Sequence, residues 1–247
     1  MKVELIGGTP NPIEMMFRAA RTCYSADGPI ELWAKLQSKG ITREKMWSLV
    51  QNIIKSGHES ICEHTMFTFA IEGLDRATLS QVTRHRLCVF SVQSQRYVEI
   101  KEEKKELVKL LDMHDTAELF SLTDKYFVVD RDDTALQHTC LMALINYRDL
   151  IENHGAKPEE ARAVLPNCTK TNMVVSVNLR ELSHICGLRL CSRSQAPIRK
   201  MVGMMANCVL KDYPEFKDLL VPKCKKHGFC TESKGCGLRP KLEDVIK

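Results

Sequence analysis

The 247-residue chain has no apolar run approaching the ~20 residues a membrane-spanning helix needs. Its opening residues, MKVELIGGTPNP, contain no apolar stretch of the kind a secretory leader carries. Together these absences lead us to expect a cytoplasmic protein without a membrane partner. The chain also has no internal repeat and no low-complexity linker, so neither a solenoid nor a string of tethered modules is expected. Net charge is scarce outside one region. Residues 223–247 hold seven Lys/Arg against three Asp/Glu and so carry +4 of the total +5. A nearly neutral body argues against a broad nucleic-acid-binding face. What is present, 44% hydrophobic and 27% charged residues, fits a globular protein with a sizeable core and excludes disorder, collagen and a coiled-coil rod.

The pattern of helices and strands predicts an α/β (α+β) fold with a mixed sheet core and helical additions. Residues 2–6 (KVELI) read as a strand ending at Gly7-Gly8. Asn11, Pro12 and Glu14 have the residue types of an N-cap, a first helical position and a capping box, predicting a helix to about Arg21. A second helix starts at Thr42 and stops at Gly57. Phe67, Phe69 and Ile71 alternate along 65–71, a strand with one apolar face. Asp75 can cap a helix leading into 84–86. The Lys run in 101–111 reads as an exposed charged helix, and 133–153 as the longest helix. A short helix follows Pro158, and 171–177 reads as a strand. Asn178 with Glu181 forms a second capping box opening a helix toward Leu188, and a last helix covers 195–211. We expect one catalytic domain over 1–222 and a basic, Cys-containing tail over 223–247.

Three clusters could carry chemistry. In 81–97, three arginines (Arg84, Arg86, Arg96) stand with His85, Gln81, Ser94 and Gln95, and no Asp or Glu occurs between Asp75 and Glu99. Crowded guanidinium groups repel unless an anion or carboxylates lie among them, and their planar forks suit phosphate or carboxylate. A solvated helix end followed by an ordinary strand is the bland alternative. In 178–189, Arg180 and His184 share a helix face near the amides that follow Asn178, a donor set suited to an anion or a flavin ring edge. A plain cap with surface arginines would look the same. In 58–64, His58 and His64 stand six residues apart, which does not match the H-E-x-x-H zinc pattern.

Of the eleven cysteines, the first eight are scattered and mostly lie in apolar runs, where a free thiol acts as a small hydrophobe. Cys224, Cys230 and Cys236, with His227 among them, could form a tetrahedral zinc site, although their spacing exceeds that of a zinc knuckle. Reduced, unligated thiols are the competing reading.

Arg84-His85-Arg86, seven further residues, Ser94 and then Arg96-Tyr97 resemble the signature of the flavin-dependent thymidylate synthases. RAARTCYS at 18–25, GHESICEHTMFTF at 57–69, EEARAVLP at 159–166, NLRELSHICGLR from 178 and SQAPIR to 199 resemble further blocks of that family in the right order. The resemblance covers about residues 1–215. It implies methylation of dUMP to dTMP, with carbon from 5,10-methylenetetrahydrofolate and reducing equivalents from NADPH through FAD. It also implies a homotetramer with shared active sites. By the same resemblance, His58, Ser60, Arg84, His85, Arg86, Asn178, Arg180 and His184 contact FAD. Gln81, Arg84, Ser94, Gln95, Arg96, Arg162 and Arg189 bind dUMP, and Arg189 is the catalytic residue that favours ionisation of the uracil ring. Two positions depart from the family pattern: Val92 stands where other members place Glu or Gln, and His184 where some have Asn.

Only Cys88 among the cysteines falls within the matched substrate motif, and Ser94 has no matched adjacent base. We therefore expect catalysis by positioning, electrostatics and the cofactor rather than by a protein nucleophile. The rival readings are an FAD-dependent NADPH oxidoreductase without methyl transfer, a nucleic-acid-binding protein using the arginine clusters, and an interaction protein acting through the 223–247 tail.

Overall fold

The computed structural model describes residues 1–112, 116–130 and 132–246; Lys247, counted in the tail charge, lies outside them. Four strands, β1 (Lys2–Gly8), β2 (Met66–Asp75), β3 (Cys88–Val92) and β4 (Lys170–Asn178), form one sheet in the order β1-β2-β4-β3. Its strands are antiparallel rather than mixed. The burial pattern accounts for this. Phe67, Phe69 and Ile71 on β2, and Met173, Val175 and Val177 on β4, are buried, while the residues between them are at least partly exposed. That is the signature of a sheet covered on one face, which antiparallel strands tolerate and parallel ones rarely do.

Twelve helices accompany the sheet among the described residues: α1 (Pro12–Thr22), α2 (Pro29–Ser38), α3 (Arg43–Lys55), α4 (Arg76–Val82), α5 (Lys104–Asp112), α6 (Thr116–Tyr126), α7 (Thr134–Glu152), α8 (Pro158–Ala161), α9 (Leu179–Arg189), α10 (Ala196–Asp212), α11 (Lys223–His227) and α12 (Leu242–Val245). A 3₁₀ turn spans Glu59–His64. α2, α6 and this turn lie outside the elements that local sequence patterns mark. No described helix is long and apolar enough to cross a membrane.

Residue contacts divide the chain into two compact units, and β2, β3 and β4 each run from one into the other. The first comprises Met1–Lys2, Ile71–Val82 and Ser91–Met173. Its core gathers Leu107 of α5, Leu119 of α6 and Cys140, Leu141, Leu144 and Tyr147 of α7. The helix expected to be a solvated charged face thus buries Leu107 completely, because α5 needs only one apolar stripe to pack on α7. Arg148, also buried, is held by Glu99, Glu152 and the Ile100 carbonyl.

The second unit comprises Val3–Ala70, Thr83–Phe90 and Val174–Lys247. Phe67 meets Tyr213 and Phe216 with ring centroids 6.1 and 6.5 Å apart, and Trp47 closes on Phe216 at 5.6 Å. Three caps repay comparison with expectation. Thr42 accepts the Lys45 amide and Asn178 the Glu181 amide, as their residue types suggest. Asn11 does not cap α1: its backbone is left-handed (φ 48°, ψ 60°) and its side chain makes no capping bond. Asn tolerates that conformation better than most residues, so at this position it turns the chain instead.

Candidate functional site

In the second unit, residues 83–87 turn the chain into β3. Arg84 and Arg86 point to solvent, and among the described residues neither has an ion-pair partner. His85, between them, is buried and only 6% exposed. The turn is reached from α4, whose start Asp75 caps in the first unit: one carboxylate oxygen accepts the Thr78 amide at 2.5 Å, the other the Thr78 hydroxyl at 2.8 Å, while the Arg76 and Ala77 amides donate to the Thr169 and Asn167 carbonyls.

His85 meets α9. Its Nε2 accepts a hydrogen bond from Arg189 Nε at 3.0 Å, and its Nδ1 lies 3.4 Å from a carboxylate oxygen of Glu181. The His184 ring stands edge-on, with centroids 6.3 Å apart. Burial, then the charge of Arg189, then His184 push the His85 pKa down to about 4. His85 is therefore neutral near pH 7, with Nε2 as acceptor and the proton on Nδ1 directed at Glu181. Burial pushes the Glu181 carboxyl upward from the usual carboxylate range. Glu181 was legible in the sequence only as the third residue of a capping box. Its side chain instead serves His85.

A cavity of about 570 Å³ opens beside this group, lined by Asn178, Arg180, His184, Glu59, Glu63 and Leu87, and by Lys223 and Lys226 of α11 among others. Arg180 pairs with Glu63 and approaches Glu59 at 3.9 Å. His58 and Ser60 sit exposed at the start of the same 3₁₀ turn. Lys226 Nζ donates to the Ser183 carbonyl (2.9 Å) and hydroxyl (2.5 Å), anchoring α11 to α9. The donors, the imidazoles of His184 and His227 and the carboxylates around this cavity suit a large polar cofactor such as FAD, whose sugar and pyrophosphate need both donors and acceptors.

The first unit holds Gln81, Ser94, Gln95, Arg96 and Arg162. Ser94 and Gln95 line a cavity of about 650 Å³ together with Gln93, Asn172 and Tyr126. The Ser94 hydroxyl accepts the Arg96 amide at 3.1 Å. Glu159 gathers the two arginines: its carboxylate pairs with Arg96 Nε at 2.5 Å, and its carbonyl accepts from Arg162 Nε at 3.1 Å. The absence of nearby acids along the sequence is thus offset for Arg96 by a residue far along the chain. Asn172 ties together two other lining residues, since its carbonyl accepts the Gln93 amide at 2.9 Å and its side-chain oxygen the Gly73 amide at 3.0 Å. Val92 is half-buried.

The thiols in the segments that carry Ser60 and Arg86 are poor nucleophiles. Burial pushes Cys62 and Cys88 up to about 12, so neither forms a thiolate near neutrality. The described residues contain no group of three or more His, Cys, Asp or Glu able to hold a metal ion, so Cys224, His227, Cys230 and Cys236 are not assembled as a zinc site. Cys230 instead donates its amide to the Pro240 carbonyl at 2.7 Å, and the Cys236 thiol bonds to Ser192.

The family model described as thymidylate synthase complementing protein matches residues 4–215. The chain belongs to this family. A flavin-dependent thymidylate synthase of Nitratidesulfovibrio vulgaris is 33% identical over 241 residues, covering 97% of this chain and 95% of that protein. One from Geobacter sulfurreducens is 38% identical over 209 residues, covering 85% of this chain and 82% of the relative. Among solved structures, thymidylate synthase X from Helicobacter pylori, with FAD and dUMP, is similar with a TM-score of 0.70 and 25% identity over 89% of this chain and 99% of that one. Family membership includes both segments that meet at His85 and Arg189, while α11 and the rest of the tail lie beyond the matched residues.

Proposed function

We propose that the chain is a flavin-dependent thymidylate synthase that methylates dUMP to dTMP, with FAD as cofactor, 5,10-methylenetetrahydrofolate as carbon donor and NADPH as reductant. The observation that carries this reading is the bond between His85 and Arg189, which joins two family segments separated by 104 residues. FAD, when bound, would supply the hydride transfer that the side chains assigned here do not provide. For its binding we assign His58, Ser60, Arg84, His85, Arg86, Asn178, Arg180 and His184. The cavity beside Asn178, Arg180 and His184 supports this assignment.

For dUMP we assign Gln81, Arg84, Ser94, Gln95, Arg96, Arg162 and Arg189. Unpartnered guanidinium forks at Arg84 and Arg86 suit an anion, and Glu159 pre-positions Arg96 and Arg162. Arg189 is the catalytic residue. Its fixed charge stabilises negative charge developing on the uracil ring, and the neutral His85 orients it without adding a competing cation. The high pKa values of Cys62 and Cys88 speak against covalent catalysis by a thiolate at those positions. Ser94 accepts a backbone hydrogen bond and acts as a substrate ligand rather than a nucleophile.

We further propose a cytoplasmic homotetramer in which subunits share active sites, with catalytic residues 1–222 and a tail whose first helix is anchored to α9. Val89 (67% exposed) and Leu87 (71%) support the assembly, being apolar side chains that a neighbouring copy would cover. Eleven free cysteines suit a reducing compartment.

The test begins with purified protein and its absorbance spectrum. Bound flavin, and tritium release from 5-tritiated dUMP that requires both NADPH and methylenetetrahydrofolate, are expected. NADPH oxidation indifferent to dUMP would make the protein a reductase. Absence of flavin together with salt-sensitive nucleic-acid binding would make it a nucleic-acid binder. Sedimentation of the holoenzyme reads the tetramer.

A further inference from the structure

Cys140 and Cys168 are the one pair of cysteines in sulfur–sulfur contact among the described residues, with Sγ atoms 3.5 Å apart. They come from elements with different solvent access. Cys140 lies on α7 inside the core of the first unit and is fully buried. Cys168 is partly exposed, in the segment that links Arg162 to β4. Neither thiol has a role in the function proposed above.

The backbone around Cys168 is fixed. Its carbonyl accepts the Val128 amide at 2.8 Å, and the adjoining Thr169 forms a bridge with Phe127 and bonds twice to the Pro166 carbonyl. Cys140 is held by the packing of α7. Closing the sulfurs from 3.5 Å to the ~2.05 Å of a disulfide requires a shift of side chains rather than a rearrangement of elements.

We propose that Cys140 and Cys168 form a dithiol oxidation site, in which a hydroperoxide converts the pair to a disulfide that staples α7 to the segment entering β4. Cys168 is the sulfur that meets the oxidant, and Cys140 resolves the product. In the first step the Cys168 thiolate attacks hydrogen peroxide. An S–O bond forms, the O–O bond breaks, one water leaves after protonation, and Cys168 becomes a sulfenic acid. In the second step the Cys140 sulfur attacks Cys168, the S–S bond forms, the S–O bond breaks, and a second water leaves. Two thiols lose two electrons and one peroxide is reduced to two waters.

The local chemistry agrees with this division of labour. Hydrogen bonding with the Cys140 sulfur lowers the Cys168 pKa, which favours its thiolate. Cys140 shifts upward for the same reason and remains a protonated donor. Burial of the resolving thiol within a few ångströms also protects Cys168 from oxidation past the sulfenic stage.

The experiment treats the full-length protein with hydrogen peroxide, alkylates the remaining thiols, digests without reductant and maps peptides by mass spectrometry. A Cys140–Cys168 linked peptide should account for more than half of both residues and disappear on thiol reduction. In Cys140→Ser, trapping with dimedone should raise the Cys168 adduct at least fivefold over the unsubstituted protein, because the resolving step is lost. Should that variant not fold, Cys168→Ser serves instead, and peroxide should then leave Cys140 alkylatable. The inference is overturned if Cys168 stays alkylatable while other cysteines oxidise, or if it accumulates as sulfinic acid without the linked peptide. Its outcome does not depend on the proposed synthase activity.

Discussion

Arg189 donates from Nε to His85 Nε2 at 3.0 Å, although 104 residues separate them, and the far side of the same imidazole faces Glu181 at 3.4 Å. The ring can accept from Arg189 only if its proton sits on Nδ1, and the Glu181 carboxylate is what favours that tautomer. A carboxylate behind a histidine that orients a third group is a recurrent arrangement in active sites. Here the oriented group is a cation.

Removing the carboxylate should therefore weaken turnover without removing any proposed ligand. Glu181→Leu is expected to lower kcat for tritium release from dUMP about tenfold. Glu181→Gln should retain most of it, since its amide oxygen still accepts from Nδ1. Equal losses in the two variants would show that Glu181 acts only through packing.

Arg189→Ala should lower kcat/KM for dUMP by ~10²–10³-fold, the scale expected when a preorganised electrostatic contact to developing charge is lost. Flavin absorbance per subunit should be unchanged. Loss of flavin along with activity would move Arg189 from the substrate to the cofactor.

His85 makes stability depend on pH. Its folded pKa of about 4 lies below the ordinary value of 6.5, so the unfolded chain takes up the proton first as pH falls. The stabilisation from keeping His85 neutral is complete above pH 6.5, declines toward pH 4 and amounts to ~3 kcal/mol at most. Glu181, shifted upward by burial, works in the opposite direction as it gains its proton. Urea denaturation between pH 7 and 4 should show falling stability, with a shallower slope in His85→Asn. An unchanged slope would mean that His85 does not contribute.

Asp75 is a cap whose loss can be measured away from the chemistry. Asp75→Ala removes both bonds to Thr78 at the start of α4 and should cost about 1–2 kcal/mol in urea denaturation. The Asp75→Asn variant, which keeps an acceptor oxygen, should recover about half. A cost within experimental error for Asp75→Ala would show that the bonds of Arg76 and Ala77 to the Thr169 and Asn167 carbonyls, with packing, hold α4 without this cap.

Local patterns in the chain were enough to locate several elements. Alternating Phe67, Phe69 and Ile71 marked β2, Thr42 and Asn178 marked two helix starts, and the order of the Arg84–Tyr97 blocks marked the family. These features depend on residues within a few positions of each other, where periodicity and capping act. The 3₁₀ turn at Glu59–His64 escaped because its side chains carry no α-helical stripe. Asn11 misled because one residue type serves both a cap and a left-handed turn.

The partners of the site residues were decided in three dimensions. Glu181 reads as a cap until α9 brings it to His85, and Glu159 meets Arg96 only through the folded first unit. Cys140 and Cys168 are two scattered thiols until α7 packs against the approach to β4. By itself the sequence determined which residue types the protein has available and where its regular elements begin, because those follow from short-range sterics and hydrogen bonding. Tertiary structure decided which of those residues share a proton, a charge or a sulfur contact, because such interactions fall off within a few ångströms and only the packed chain brings distant positions that close.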